Sequence, residues 1–301
     1  FEAMDLTNHG SLGFVTAILV SLIWIQPKYS LLFAIVTYIF YRLYNSKLFH
    51  VIASTLPRDI RALSLLARVQ CKIHYQLWLN KPIHQIFLEV VKKNPSKTAV
   101  IEIDTGKRLT FAELNSLSNQ YAHFFQSERH VAGDVVSLFL GNRAEFLALW
   151  LGLSKISVIT AWINSHIKME SLLHSLNVAK CKSVVTSQEL FPVLREAIGQ
   201  DKNHSYKIYL IDYDSNSNGY VPICRRIDLC STEEPVCEKP PDFRSSILCF
   251  IYTSGTTGEP KPAVIKHFRY YWMAMGVAES FGIYPNDIVY ITMPVYHSAA
   301  G

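Results

Sequence analysis

The six cysteines, Cys71, Cys181, Cys224, Cys230, Cys237 and Cys249, include no Cys-x-x-Cys pair, and no histidine pair stands beside them at zinc-ligand spacing. A zinc site is thereby disfavoured, no residue is assigned to a metal, and free thiols in a reducing compartment are expected. No repeat at a solenoid period appears. Charge is scarce at the start, where residues 1–41 carry Lys28 against Glu2 and Asp5. Residues 82–301 balance at 21 basic against 21 acidic side chains, so the net +5 comes from residues 42–81, where seven basic residues face Asp59 alone. A nucleic-acid surface would need that excess on the main domain, and no nucleic-acid partner is expected.

A single apolar run long enough to cross a bilayer is also missing. Spanning takes roughly 20 apolar residues; the run over 12–25 stops short of Pro27-Lys28, and the aromatic-rich run over 31–41 is shorter still. Together they exceed that length, which leaves one kinked or tilted membrane helix, a shallow hairpin, or a buried core hairpin. The start lacks the basic residues and small-residue cleavage site of a secretory signal. Arg42, Lys47, Arg58, Arg61, Arg68 and Lys72 follow, and the positive-inside bias puts the next domain in the cytoplasm. Residues 1–45 are expected to be a membrane anchor in contact with membrane lipid, and 46–81 a basic juxtamembrane segment. Within the latter, 56–79 reads as an amphipathic helix carrying Leu65, Leu66, Val69, Ile73 and Trp78. It either lies on an anionic leaflet or packs on the main domain with its basic face solvated.

From Pro82 the pattern is that of an α/β domain, and with 301 residues, half of them hydrophobic, the chain can bury a sizeable core. Ile83, Ile86, Phe87, Val90 and Val91 form one helical face that ends near Pro95. Runs 98–103 and 107–111 flank Asp104-Thr105-Gly106 as a hairpin. Thr110 and Glu113 make a capping box for a helix through Phe125, and Asn142 and Glu145 resemble a second one, for a helix to Ile156. Strands are expected over 134–140, 158–163, 183–186, 206–211, 247–252, 263–266 and 288–293. Helices are expected over 168–176, 189–198 and 269–281, and 212–245 as an exposed connection. Alternation of this kind implies a mostly parallel sheet covered on both faces.

The stretch Phe250-Ile251-Tyr252-Thr253-Ser254-Gly255-Thr256-Thr257-Gly258-Glu259-Pro260-Lys261 starts as a buried strand and turns into hydroxyls, glycines and a lysine. A triphosphate needs donors at close range from several sides. Glycines let backbone N–H groups approach, Ser and Thr add hydroxyls, and Lys adds a point charge. Four hydroxyl residues and Lys261 within nine positions meet that need. The Walker arrangement is absent, since the glycines stand three apart and Pro262 occupies the place of a Mg²⁺-binding Ser or Thr. In a doubly wound sheet, ligands sit beyond the carboxyl ends of strands, and this loop leaves such an end. A second stretch, Tyr-Ile-Thr-Met-Pro-Val-Tyr-His from Tyr290, reads as a strand that ends at Pro294 and presents Tyr296 and His297 to a pocket for a flat base and a carboxyl group.

Thr-Ser-Gly-Thr-Thr-Gly-x-Pro-Lys resembles the signature of the AMP-forming adenylating enzymes, which include acyl-CoA synthetases, luciferases and peptide-synthetase adenylation domains. The Pro-x-Tyr-His segment, together with Gly133-Asp134-Val135-Val136, Asn142-Arg143-Ala144-Glu145-Phe146, Leu149-Trp150-Leu151-Gly152-Leu153, Leu172-Leu173-His174 and Asp287-Ile288-Val289-Tyr290, is similar to the fatty acid transport protein and very-long-chain acyl-CoA synthetase family. The resemblance covers essentially the whole chain. Phe250 stands where that family usually has Tyr, Glu259 where it often has Leu, Pro262 where a small residue is usual, and Ser157 where Gly is expected.

The resemblance implies an α/β fold in which an N-terminal membrane helix precedes an incomplete adenylate-forming large domain with a mostly parallel sheet, over 82–301. It implies a long-chain or very-long-chain fatty acid–CoA ligase with ATP/AMP, Mg²⁺ and coenzyme A. The segment from Phe250 to Lys261 and Tyr296 would bind nucleotide, and His297, Lys261 and Thr256 would serve catalysis. The endoplasmic reticulum, plasma membrane and peroxisome fit as locations. A transporter in which ligation is secondary, and a bile-acid or aryl-acid CoA ligase, are the alternatives. The chain begins without Met and stops at Gly301 within what looks like a motif, so an N-terminal fragment unable to complete adenylation alone is expected.

Overall fold

The computed structural model describes residues 27–167, 169–199, 206–212, 220–254 and 258–298. The chain divides into two compact units, Phe1–Arg68 and Val69–Gly301. In the first, α1 (Pro27–Tyr44) takes up the second apolar run, and α2 (Lys47–Leu79) begins three residues later and continues into the second unit. Leu32, Tyr38, Phe40, Leu48 and Leu63 are exposed on these helices. Among the described residues no helix is long and apolar enough to cross a membrane, which corrects the expectation of a membrane helix as far as α1 bears on it. The run over 12–25 lies outside the described residues.

The second unit starts where α2 becomes half-buried. Val69, Ile73 and Gln76 recur at helical spacing on its inward side, while Trp78, expected on the apolar face, is exposed. α3 (Ile83–Lys93) buries Ile83 and Val91, with Val90 left outside. β1 (Thr98–Ile101) and β2 (Arg108–Thr110) form the expected antiparallel hairpin, and Gly106 takes the left-handed turn position at φ 70°. Thr110 accepts the Glu113 N–H at 3.2 Å while Glu113 accepts the Thr110 N–H at 2.8 Å, completing the box that opens α4 (Phe111–Ser127).

The main sheet follows as β3 (Val135–Phe139), α5 (Ala144–Lys155), β4 (Ile159–Trp162), α6 (Met169–Val178), β5 (Ser183–Thr186), α7 (Phe191–Gly199), β6 (Lys207–Leu210), β7 (Val221–Pro222), α8 (Cys224–Asp228), β8 (Ile247–Ser254), β9 (Pro260–Lys266) and α9 (His267–Phe281). The strand order is β7-β6-β5-β3-β4-β8-β9, parallel throughout except for the β8–β9 hairpin. The chain steps one way from β3 to β4 and the other way from β4 to β5. Right-handed crossovers therefore put α5 on one face and α6 and α7 on the other. β3 is buried at all five positions, as a strand covered on both sides must be. Phe139, Ala161, Leu172, Leu176, Val184 and Leu194 fill the α6/α7 face, with Phe250 and Tyr252 packed against them. α4 and α5 cross closely on the other face, where Gly152 meets the Ser118 backbone.

Three readings of the sequence change, and a departure from the family pattern, Ser157, is accounted for. Asn142 does not cap α5: the cap position is Arg143, which makes no side-chain cap bond. Within the stretch expected as an exposed connection, residues 220–245 are tied down, with Ile223, Ile227 and Phe243 buried and with Gln120, His123 and Gln126 of α4 bonded to the carbonyls of Ile227, Glu233 and Val236. Residues 288–293 form no strand. Their apolar side chains lie open, Ile288 at 82% and Tyr290 at 71% exposure, because among the described residues no strand lies beside them to take up their backbone donors. Ser157, in place of glycine, holds a left-handed φ of 59°, and its hydroxyl donates to the Lys239 carbonyl at 2.6 Å.

Candidate functional site

β8 is the longest strand of the sheet, and its last residues reach past the ends of its neighbours: Ile251 is level with Trp162, the final residue of β4. Thr253 and Ser254 therefore extend into the space above the parallel strands, and β9 returns beside them, Thr253 opposite Lys261 and Ser254 opposite Pro260. Gly255, Thr256 and Thr257 lie outside the described residues. The chain resumes at Gly258 with φ 87°, a conformation that L side chains rarely adopt, so this glycine is required for the return. Pro260 and Pro262 lack a ladder donor and sit on the edge strand β9, where that lack costs least.

α6 fastens both limbs of this loop. The Tyr252 hydroxyl donates to the Ser175 carbonyl at 2.6 Å, and burial holds that phenol protonated by raising its pKa. On the returning limb the Glu259 carboxylate lies 3.3 Å from His174 Nδ1. Thr253 donates to the Lys261 carbonyl at 3.4 Å, and the Lys261 side chain is exposed at the loop mouth. The glycine return and the exposed ammonium are two parts of the donor set that a polyphosphate requires.

The second stretch reaches the same edge of the sheet by a different route from the strand expected. Residues 294–297 make a turn closed by the His297 N–H on the Pro294 carbonyl at 3.0 Å, with Tyr296 buried and His297 exposed. Asn142, in the turn that leaves β3, holds its start. Its Oδ1 accepts the Val295 N–H at 2.7 Å and its Nδ2 donates to the Met293 carbonyl at 3.2 Å. β3 and β8 flank β4, so the strand that holds the second stretch through Asn142 and the strand that ends in the loop run about 10 Å apart along the sheet's hydrogen-bonding direction.

Next to Asn142, Arg143 pairs with Glu145 at 3.0 Å and Asp212 at 3.1 Å, while Lys107 pairs with Glu145 at 2.7 Å. Against burial, which would raise it, Lys107 and Arg143 hold the Glu145 carboxyl below the usual carboxylate range. The most perturbed histidines stand at the opposite end of the sheet. Burial, then Lys155, pulls His84 down to about 4, and burial, then His84, takes His267 to about 3. Their partners there are Ser154 and the Ile83 N–H, so they belong to the scaffold. Among the described residues no group of three His, Cys, Asp or Glu side chains is placed to hold a metal.

The anchoring contacts of Asn142, Tyr252 and the His174–Glu259 pair escaped the reading of the sequence, which had Tyr252 and Glu259 as part of the nucleotide-binding segment. Asn142 looked like a helix cap, and nothing in the spacing of the others marks a contact between distant segments.

The profile of the family described as AMP-binding enzyme matches residues 87–301, the stretch that contains both constellations. The chain belongs to this family. Long-chain fatty acid transport protein 1 of Bos taurus is 34% identical over 252 residues, which are 83% of this chain and 39% of that protein. Long-chain fatty acid transport protein 2 of Rattus norvegicus is 34% identical over 253 residues, 81% of this chain and 40% of that protein. The chain thus spans about two fifths of the length of these relatives. Among solved structures, the inhibitor-bound N-terminal domain of FACL13 from Mycobacterium tuberculosis superposes with a TM-score of 0.60 at 26% identity over 73% of this chain and 53% of that one. A long-chain-fatty-acid-CoA ligase from Archaeoglobus fulgidus reaches 0.64 at 18% identity over 73% of this chain and 43% of that one, a likeness of fold.

Proposed function

We propose that this AMP-binding chain serves an AMP-forming fatty acid–CoA ligase, with residues 82–301 as the amino-terminal part of its adenylating domain. The observation that carries the proposal is the glycine-and-hydroxyl loop leaving β8 at the sheet edge that also receives Tyr296 and His297. A carboxylate is a poor electrophile. The reaction proposed is attack of its oxygen on the α-phosphate of ATP, forming the acyl-adenylate as pyrophosphate leaves, followed by attack of the coenzyme A thiol with AMP as the leaving group.

In this reading Thr253, Ser254, Thr256, Thr257 and Lys261 hold the β- and γ-phosphates, with the glycines at 255 and 258 admitting them and Mg²⁺ arriving on the triphosphate. Their part is electrostatic: they offset the charge that builds up on departing pyrophosphate. Glu259 would add a charge of the wrong sign beside them, and its contact with His174 ties that carboxylate to α6. His297 would orient the carboxylate, and Tyr296 would border the pocket. Residues 1–45 as a membrane anchor and 46–81 as a basic segment on the bilayer would bring the enzyme to a membrane-dissolved acid, with the catalytic domain on the cytoplasmic side.

The test is thioester formation by the full-length protein against a panel of long-chain, bile and aryl acids. Long-chain acids should be the best substrates, and no turnover of them would overturn the choice of substrate. The names of the relatives favour a second reading, in which uptake is primary. Measuring uptake and thioester formation together in Lys261→Ala separates the two, since uptake that persists without ligation supports transport.

A further inference from the structure

Residues 293–298 form no strand, so the backbone groups on either side of Pro294 have no ladder to join. Val295 is buried, and its N–H would be an orphaned donor without Asn142. A side-chain amide carries the same donor and acceptor as a peptide group. That of Asn142 spans the proline, accepting from Val295 and donating to Met293, as a neighbouring strand would. Pro294 has no N–H of its own, and its carbonyl accepts the His297 N–H at 3.0 Å, so no backbone group between these two bonds is left unpaired.

The turn that carries Asn142 is itself braced. Arg143 is held by Glu145 and Asp212, Glu145 by Lys107, and the Ala144 N–H donates to Glu102 at 3.3 Å. These partners come from the β1–β2 hairpin, the first turn of α5 and the end of β6. Because Arg143 is the cap residue of α5, the Asn142 amide is not consumed by the helix. The clamp at residues 293–295 sets where the 294–297 turn begins, and the turn decides which side chain goes inward. Tyr296 is buried and His297 is exposed.

We infer that Asn142 is a positioning residue for the ligase reaction, fixing the Tyr296-His297 turn at the carboxyl edge of the sheet by a two-point bond to the backbone around Pro294. The inference rests on the function proposed above. Asn142 touches no reacting atom in this scheme and acts through His297. A misplacement of about 1 Å at a reacting group can lower a rate as much as a hundredfold.

The test compares wild type, Asn142→Leu and Asn142→Asp in the full-length protein, by amide hydrogen exchange and by thioester kinetics. Asn142→Leu should speed exchange at Val295 by about tenfold or more while β3 and β8 exchange as in wild type, because only the local donor is released. Its kcat should fall by about tenfold or more with KM for ATP within about twofold, since the phosphate loop is untouched. Asn142→Asp keeps the acceptor and loses the donor, so both effects should be intermediate. Unchanged exchange at Val295 in Asn142→Leu, or faster exchange with wild-type kcat, would overturn the inference. Exchange that rises equally in β3 and β8 in both variants would also overturn it, as a general loss of stability. A wild-type protein that makes no thioester while Asn142→Leu still frees Val295 would instead overturn the ligase reading and uphold the clamp.

Discussion

Gly152 allows a sharp prediction because two effects oppose each other there. It lies inside α5, where alanine is a better helix former by about 0.5–1 kcal/mol. Judged by propensity alone, Gly152→Ala should stabilise the protein. A Cβ at this position, however, would stand 2.3 Å from the Ser118 carbonyl oxygen, 3.2 Å from its carbon and 3.3 Å from the Ala122 nitrogen. All three are backbone atoms of α4, so relief requires α4 and α5 to move apart by about 1 Å. Phe124, Phe125, Leu149 and Leu153, each at most 1% exposed, lie on these two helices and would lose contact. Overpacking of a rigid core costs about 1–3 kcal/mol. The upper end applies, which leaves a net destabilisation of about 2 kcal/mol after the propensity gain. With a urea slope of about 2 kcal/mol/M, the unfolding midpoint should fall by about 1 M. Gly276, inside α9, has no atom within 4 Å of the equivalent Cβ, so Gly276→Ala should raise the midpoint slightly. A midpoint that holds or rises for Gly152→Ala would refute the close helix approach as the controlling term.

Two further perturbations probe the buried polar groups. His84 and His267 are held neutral when folded, with pKa values near 4 and 3, whereas in the unfolded chain a histidine takes up its proton near its ordinary value of about 6.5. Their stabilising contribution is complete above pH 6.5 and is lost as pH falls, by about 2 kcal/mol per histidine between pH 7.5 and 5. The urea midpoint should drop over that range, and His84→Gln/His267→Gln should flatten the drop; equal slopes would contradict the assignment. Lys155 is 3% exposed and bonds Asn115 at 2.7 Å and Glu234 at 3.0 Å. Glu234→Ala, which strands the buried ammonium, should cost about 2 kcal/mol, and more than Lys155→Met, which removes it. Thermal unfolding of the two variants decides the order.

Much of the domain was legible because its signals are local. The Thr110–Glu113 box, the turn at Gly106 and the short apolar strands between helices are written in adjacent residues, and the structure reproduces them. Residues 288–293 show the limit of that reading: apolar alternation specifies a surface, and only a neighbouring backbone makes it a strand. Asn142 shows another, since a polar residue before a helix serves equally as a cap or as a partner for a segment 153 positions away. Glu259, a departure from the family pattern, becomes intelligible only once α6 brings His174 to it. The loop after β8 was read as a phosphate loop from its hydroxyls, glycines and lysine, and what set it apart from an ordinary Gly/Thr turn was the resemblance of the whole string to the adenylating signature.

ATP–pyrophosphate exchange driven by a long-chain fatty acid, in the full-length protein with and without Lys261→Ala/Thr256→Ala, bears most directly on the central claim. Loss of these donors beside the departing pyrophosphate should lower the exchange rate by about a hundredfold or more. Exchange at the wild-type rate in the double variant would show that the loop beyond β8 does not grip the nucleotide.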